Sequence, residues 1–340
     1  MVFGRAKSFK MMTKAAKIKI DSIRLFGSQF CGVCPKKMLL ENLTNEDLDR
    51  AIAETTNYPA FLTLHFCLQN QRCGLFPEVK WRSFWMKNEL GQRIDFSSRS
   101  YTFPGFRNFL LIASDLNVKF DKNELFGAFD KLNAEIKELF DVEGPVVVCF
   151  EPIASVFSEW HQNNFPDFYL KPHPCLFYYM TQKQQQKLLM DCGDDIKLPD
   201  GYYWDGADAE KDAQLLFETW IHSCPGDLEG MKAKIRNLPS AMIRVADSGK
   251  PAAFEVTDAC GFLNHLYTMP EHRRKGLGTA VEMEICRKLI EAGMTPNKDV
   301  ETWNSHVIAT SEKSPYWTCW KDDSGNPVHV LFLKVYSKKQ

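Results

Sequence analysis

The chain has 340 residues, enough for two domains, and its 44% hydrophobic and 25% charged residues are ordinary for a globular protein. The formal net charge of −1 gives no electrostatic reason to invoke nucleic acid or a membrane surface. No apolar run approaches the length of a transmembrane helix, so no membrane span is expected.

The first segment, 1–24, reads as a basic tail. Arg5, Lys7, Lys10, Lys14, Lys17 and Lys19 occur with no acid in the first twenty residues. A mitochondrial presequence is basic and acid-poor in the same way, but usually richer in Arg and Ser, and no secretory apolar region is present. The expected location is cytoplasmic, or mitochondrial if the tail is a presequence. The eleven cysteines are odd in number and irregularly spaced, as in an intracellular protein with reduced thiols. Cys31 and Cys34 are the only close pair, and neither a helix start nor a second ligand pair supports a redox or zinc role for them.

Segment 25–195 reads as an N-terminal α/β or α+β domain centred on a sheet. Thr44–Glu54 has a capping residue, acids in its first turn and an apolar face, and is expected to be a helix. Phe61–Leu68, Lys80–Met86, Phe109–Ala113, Pro145–Phe150 and Cys175–Met180 are expected strands. Asp121–Phe140 carries apolar residues three or four apart and is expected to be a helix, as is the polar run Thr181–Met190. Asp191–Asp200, acidic with Gly and Pro, is the expected linker, and segment 196–340 is the second domain. A fragment starting near Leu198 should then fold alone.

In the second domain Tyr202–Trp204 is an expected strand, and Ala207–Ser223 and Asp227–Leu238 are expected helices. Ala241–Val245 and Ala252–Thr257 form a hairpin around Asp247–Lys250. Phe262–Met269 is a nearly continuous apolar run, expected to be a strand covered on both faces and ended by Pro270. Leu277, Val281, Ile285 and Leu289 repeat every fourth residue, so a helix opens near Leu277, with Gly293 as its left-handed cap. Asp299–Trp303 is a strand, Asn304–Thr310 starts a helix, and Trp317–Trp320 with Val328–Val335 make a last hairpin.

Between the apolar strand and the long helix lie Arg273, Arg274, Lys275, Gly276, Leu277, Gly278 and Thr279. The glycines admit close approach of a ligand, and the helix start presents unpaired N–H groups with partial positive charge. That combination suits a phosphate or pyrophosphate. The spacing is neither that of a Walker A loop nor that of the dinucleotide fingerprint.

Arg273-x-x-Gly276-x-Gly278 resembles the phosphate loop of the GNAT superfamily of acyl-CoA-dependent N-acyltransferases. The run Leu266–Arg273 and the upstream Gly249–Glu255 resemble its glycine N-acyltransferase branch. The resemblance covers roughly the last two-fifths of the chain well and the rest loosely. It implies a C-terminal mixed sheet flanked by helices and an N-terminal half that is a degenerate copy of that domain. It implies acyl-CoA as co-substrate and a small amine such as glycine as acceptor. The loop would hold the pyrophosphate, backbone near Tyr267, Thr268 and Met269 would pair with pantetheine, and Asn304 would bond the cofactor or simply cap its helix.

The sequence departs from the branch at Phe262, where a glutamate is expected, and from the superfamily at Ser311, where a tyrosine acid is usual. The base candidates are therefore Glu255 and His265. Strand alternation places His265 on the face opposite Phe262. His161 and His173 show no metal-ligand spacing, and no metal is expected. A catalytically weak acyl-CoA-binding module and a protein or polyamine N-acetyltransferase are the alternatives; the oligomeric state is open.

Overall fold

The structure, a computed structural model, describes residues 39–56, 58–102, 107–136, 139–193 and 196–338. The basic tail and Cys31 and Cys34 lie outside them.

The first half runs β1 (Leu40–Glu41), α1 (Asn45–Glu54), α2 (Leu62–Cys73), β2 (Val79–Lys87), β3 (Arg93–Tyr101), β4 (Phe109–Ser114), α3 (Lys122–Glu135), β5 (Val146–Phe150), α4 (Ile153–Asn164), β6 (Phe168–Tyr179) and α5 (Gln182–Cys192). The second runs β7 (Tyr202–Asp205), α6 (Ala213–Thr219), α7 (Asp227–Asn237), β8 (Ser240–Val245), β9 (Pro251–Thr257), β10 (Leu263–Thr268), α8 (Leu277–Glu291), β11 (Asn297–Glu301), α9 (Ser305–Lys313), β12 (Thr318–Cys319) and β13 (His329–Ser337). The fold class is mixed α/β, as expected. Each half repeats one plan: a run of antiparallel strands, a long helix (α3 or α8), a strand (β5 or β11), a second helix (α4 or α9) and a closing strand.

The halves are interlocked. One nine-stranded sheet runs β1-β2-β3-β4-β5-β13-β6-β11, with β12 also on β6, and a separate four-stranded sheet runs β10-β9-β8-β7. The last strand of the chain, β13, lies between β5 and β6 of the first half, and β6 lies between β13 and β11 of the second. The position 195/196 therefore divides the chain but not the sheet; a two-domain boundary there stands as a proposal.

Local chemistry explains several helix ends. Thr44 caps α1 through a reciprocal box with Asp47. Asp121 accepts from Asn123 and Glu124 N–H at the start of α3, and Thr181 boxes α5 with Gln184. Gly293, at φ +79°, closes α8 as expected.

Several expectations are corrected. Phe61–Leu68 is not a strand but the start of α2, ended by left-handed Gly74. Leu62, Leu64, Phe66, Cys67 and Leu68 are all buried, because α2 packs against α1, β2 and β3 together. A helix covered on most sides shows no polar face, so its period is invisible. The helix expected over Asp121–Phe140 stops at Glu135; Ile136 turns extended, and Leu139 and Phe140 pack into the core beyond it. Most of Ala207–Asp212 is turn rather than helix. Asp208 Oδ1 accepts from Glu210 and Lys211 N–H, and Asp212 Oδ2 accepts from Asp208 N–H, so side chains compete with the helix ladder. β12 and β13 do not form a hairpin ladder. Thr318 and Cys319 pair with Tyr179 and Tyr178, and β13 resumes on the same edge at His329 opposite Leu176, after a turn bridged by Lys321 and Pro327.

Besides the two-residue β1, two elements were not anticipated. β3 is polar in sequence yet buried, because Asp95 pairs with Arg93 and Arg99 with Asp258. α4 buries Phe157 and Trp160 against Phe129 and Phe140.

Candidate active site

The two sheets part between β10 and β11, which end their respective sheets and are not hydrogen bonded to each other. Near the base of the gap Asn297 Nδ2 donates to Gly261 O at 3.5 Å. Beyond it the strands diverge around a cleft of about 660 Å³, lined from both halves of the chain. β10 is thus an edge strand with half-buried side chains, and not the doubly covered strand expected for Phe262–Met269. The run is apolar because it borders a cavity as well as a core.

At one end of β10 the chain turns into α8. Gly276 caps the helix with φ +78°, a conformation costly for any residue with a Cβ, and Arg274 also sits at φ +61°. The first bond of this turn runs from Ala280 N–H to Gly276 O. The amides of Leu277, Gly278 and Thr279 thus have no acceptor within the helix. A Cβ on Gly278 would meet Thr268 Oγ1 at 3.2 Å, so the helix start and strand end are closely apposed. Lys275 Nζ donates to Tyr202 Oη at 2.8 Å, and Arg273 Nε donates to Thr268 O at 3.1 Å. Arg274 is exposed and has no side-chain partner among the described residues. Three cations thus surround free helix-end amides, an arrangement suited to a di-anionic group.

Of the residues singled out in the sequence, Glu255, His265, Tyr267 and Asn304 line the cleft. Thr268, Met269 and Arg273–Thr279 lie beyond it, at the end of β10 and the start of α8. Met269 N–H is used in pairing to Ala252 O, and Thr268 O is taken by Arg273. Asn304 Oδ1 accepts from Val307 N–H at 3.4 Å, so it caps α9 while lining the cleft.

Glu255 is 3% exposed, and its Oε2 has no partner among the described residues. Burial, then the neighbouring Glu282 charge, holds its carboxyl well above the usual carboxylate range, against the pull of Lys298. Lys298 pairs with Glu282, and its ammonium lies 4.3 Å from the Trp317 ring centre.

His265 overturns the alternation argument. The pairing of β10 with β9 shifts between Asn264 and Tyr267, and His265 has φ +60°. This bulge turns His265 into the cleft that Phe262 also lines. Its Nε2 lies 3.3 Å from Thr219 Oγ1, whose own proton goes to Leu215 O at 2.7 Å. Nε2–H is therefore the donor, and Nδ1 is a buried lone pair without a partner among the described residues. Burial lowers the imidazole to about 4, with Lys234 and His222 adding to it.

Sequence reasoning missed four groups in the cleft, Arg99, Lys234, Asp258 and Asp299. Asp258 accepts from Arg99 at 2.6 Å and pairs with Lys234 at 2.7 Å. Burial alone would raise this carboxyl; the two cations hold it well below the usual range. Arg99 and Asp258 are 159 positions apart, so no spacing signal links them. The fourth group is Asp299, whose Oδ1 is buried without a partner among the described residues. Burial, then the Asp258 charge, pushes it up to about 7. Among the described residues no cluster of three His, Cys, Asp or Glu could hold a metal.

Residues 243–314 match a family model described as FR47-like protein. They span β8 to the end of α9, and so include the loop, β10 and β11. The X-ray structure of a Drosophila protein is similar with a TM-score of 0.68 at 15% identity, over 88% of this chain and 99% of that one. A tandem GNAT protein from the clavulanic acid biosynthesis pathway is less similar, with a TM-score of 0.49 at 10% identity over 89% and 98% of the two chains. An acetyltransferase of the GNAT family from Colwellia psychrerythraea has a TM-score of 0.42 at 15% identity over 88% and 99%. At such identities the first likeness concerns the fold alone, which extends across both halves of this chain.

Proposed function

We propose that the chain is an acyl-CoA-dependent N-acyltransferase of the GNAT type, acting on a small amine of which glycine is one example. The observation that carries this reading is the joint between β10 and α8. Free amides and three cations stand at the end of an edge strand that borders a two-sided cleft. The FR47-like match over 243–314 covers the same elements and supports it.

The chemistry divides among the chain's own residues. Leu277, Gly278 and Thr279 amides, with Arg273, Arg274 and Lys275, would receive the pyrophosphate of acyl-CoA. The open edge of β10 near Tyr267 offers backbone groups to the amides of pantetheine, and Asn304 stands across the gap. An acceptor amine entering the cleft must lose a proton before it can attack a thioester. At pH 7 an alkyl amine of pKa near ~10 is neutral only to roughly a thousandth, so a positioned base matters.

One observation favours a second reading, a module that binds acyl-CoA without turnover. Phe262, where a glutamate is usual in the resembling branch, is buried and packs edge-on against Phe332 with ring centres 6.3 Å apart. Incubating the pure chain with short and long acyl-CoAs and a panel of amines, while following release of free thiol, decides between the two. Turnover with any small amine supports the enzyme; CoA binding without turnover supports the module.

A further inference from the structure

The base candidates legible in the sequence leave the proton without a well-matched acceptor. Glu255 is buried beside Glu282 and holds its proton tightly. His265 presents a free Nδ1, but an imidazole lowered to about 4 is a weak base towards an ammonium ion. The departure at Phe262, just before β10, removes the glutamate expected there.

Across the gap, on β11, is an acid that nothing in the sequence pattern singled out. Asp299 lines the cleft, and so does Phe262. Both also line a small inner cavity of about 30 Å³ that lies under α2 and is otherwise walled mostly by apolar side chains such as Phe177 and Trp320. Asp299 pairs through its backbone with Phe177 of β6, so its position is set by a strand inside the large sheet. Its Oδ1 is enclosed and accepts no hydrogen bond from any described residue. A buried carboxylate oxygen without a partner among the described residues, on a side chain that lines a cleft, is free to accept from a group that enters that cleft.

We propose that Asp299 is the general base of the acyl transfer, standing on β11 in the cleft that Phe262 also lines and taking the proton that a glutamate at position 262 would have taken. This rests on the N-acyltransferase reading. The acceptor enters as R–NH3⁺ and gives one proton to the Asp299 carboxylate. The nitrogen lone pair then forms the C–N bond to the thioester carbonyl carbon. As the tetrahedral adduct collapses the C–S bond breaks, the nitrogen loses its second proton, and the CoA thiolate leaves with one proton to become a thiol. The sum is R–NH3⁺ plus acyl-S-CoA giving amide, CoA thiol and one proton released to solvent.

The charged surroundings fit this role. Asp258, in the β9–β10 turn, raises the proton affinity of Asp299, and is itself fixed by Arg99 of β3 and Lys234 of α7. From β6, Cys175 is a thiol pushed up by burial, with Asp299 and Glu301 adding to it. On β11, Glu301 is engaged by His222 at 2.7 Å. The result, a carboxyl near 7, is matched to proton transfer at neutral pH.

The test uses the full chain with the acyl-CoA and amine that give turnover. Wild type should show a rising acid limb in kcat/KM with an apparent pKa near 7. Asp299→Asn should lose about 10²–10⁴-fold in kcat and lose that limb, while calorimetry shows CoA binding unchanged. Should Asp299→Asn fail to fold, Asp299→Glu replaces it, and the acid limb should move in pH. A rate and limb unaltered by either substitution overturn the assignment and leave the N-acyltransferase reading standing. Wild type that binds CoA but turns over no amine overturns both.

Discussion

At the scale of the residue, the loop 273–279 was legible because everything it needs is local. Left-handed Gly276, closely apposed Gly278 and three cations are neighbours in sequence as in space. Gly278→Val should weaken CoA binding at least about tenfold, because the side chain both meets Thr268 and blocks approach to the helix amides. Calorimetry with CoA checks this, and unchanged affinity would sink the loop assignment. His265 gives a pH prediction. An unfolded imidazole binds its proton near 6.5 and the folded one near 4. Its contribution to stability is therefore complete above 6.5, falls as the pH drops from 6.5 towards 4, and is gone below that. Denaturant unfolding at pH 7, 5 and 4 should show a smaller loss for His265→Gln than for wild type; parallel losses would show that His265 is not buried as described. Asp299, by contrast, was illegible. An acid next to a lysine in a short strand looks solvated until the sheet encloses it.

At the scale of the element, caps and period served well where one face of a helix meets water, as in α1 and α8. They failed for α2, which is covered on most sides. The turn between β9 and β10 packs on this helix. Asn70 Nδ2 donates to Ala259 O at 2.8 Å, and a Cβ on Gly261 would lie 2.4 Å from Phe66 Cγ. Gly261 also has φ +86°. Gly261→Ala should therefore cost about 2–4 kcal/mol, combining left-handed strain with overpacking. Adding Phe66→Ala should recover part of that loss, since it removes the ring but not the strain. Equal, additive losses in a double-mutant cycle would show that the two residues do not touch.

At the scale of the whole molecule, the exchange of β6 and β13 governs behaviour. A fragment beginning near Leu198 would carry β11 and β13 without β6, the strand that both pair with. Two long edges and the apolar residues beneath them would be exposed. The expectation drawn from the linker reverses: this fragment should be insoluble or molten by near-UV circular dichroism. Co-expressed with residues 1–193 it should become soluble and bind CoA. The intact chain should unfold in one cooperative transition, and a fragment 198–340 that folds alone with sharp tertiary signals would contradict the interlocked description.

The sequence by itself determined most of the strands that run apolar, the helices with one wet face, several helix caps and the glycine turn proposed to bind an anion. Each of these depends on contacts between residues a few positions apart, and such contacts leave a period or a motif. Only the tertiary structure decided that the last strand lies in the first half's sheet, that Arg99 reaches Asp258, and that His265 and Phe262 share a cleft. It also decided that Asp299 lines that cleft, its Oδ1 buried and without a partner among the described residues. These depend on pairing across one hundred or more positions, on one bulge and on enclosure by other elements, none of which changes the local pattern of residues. The proposed site is accordingly half written in the chain: the proposed phosphate end is a local turn, and the cleft proposed for the reaction exists only where two sheets part.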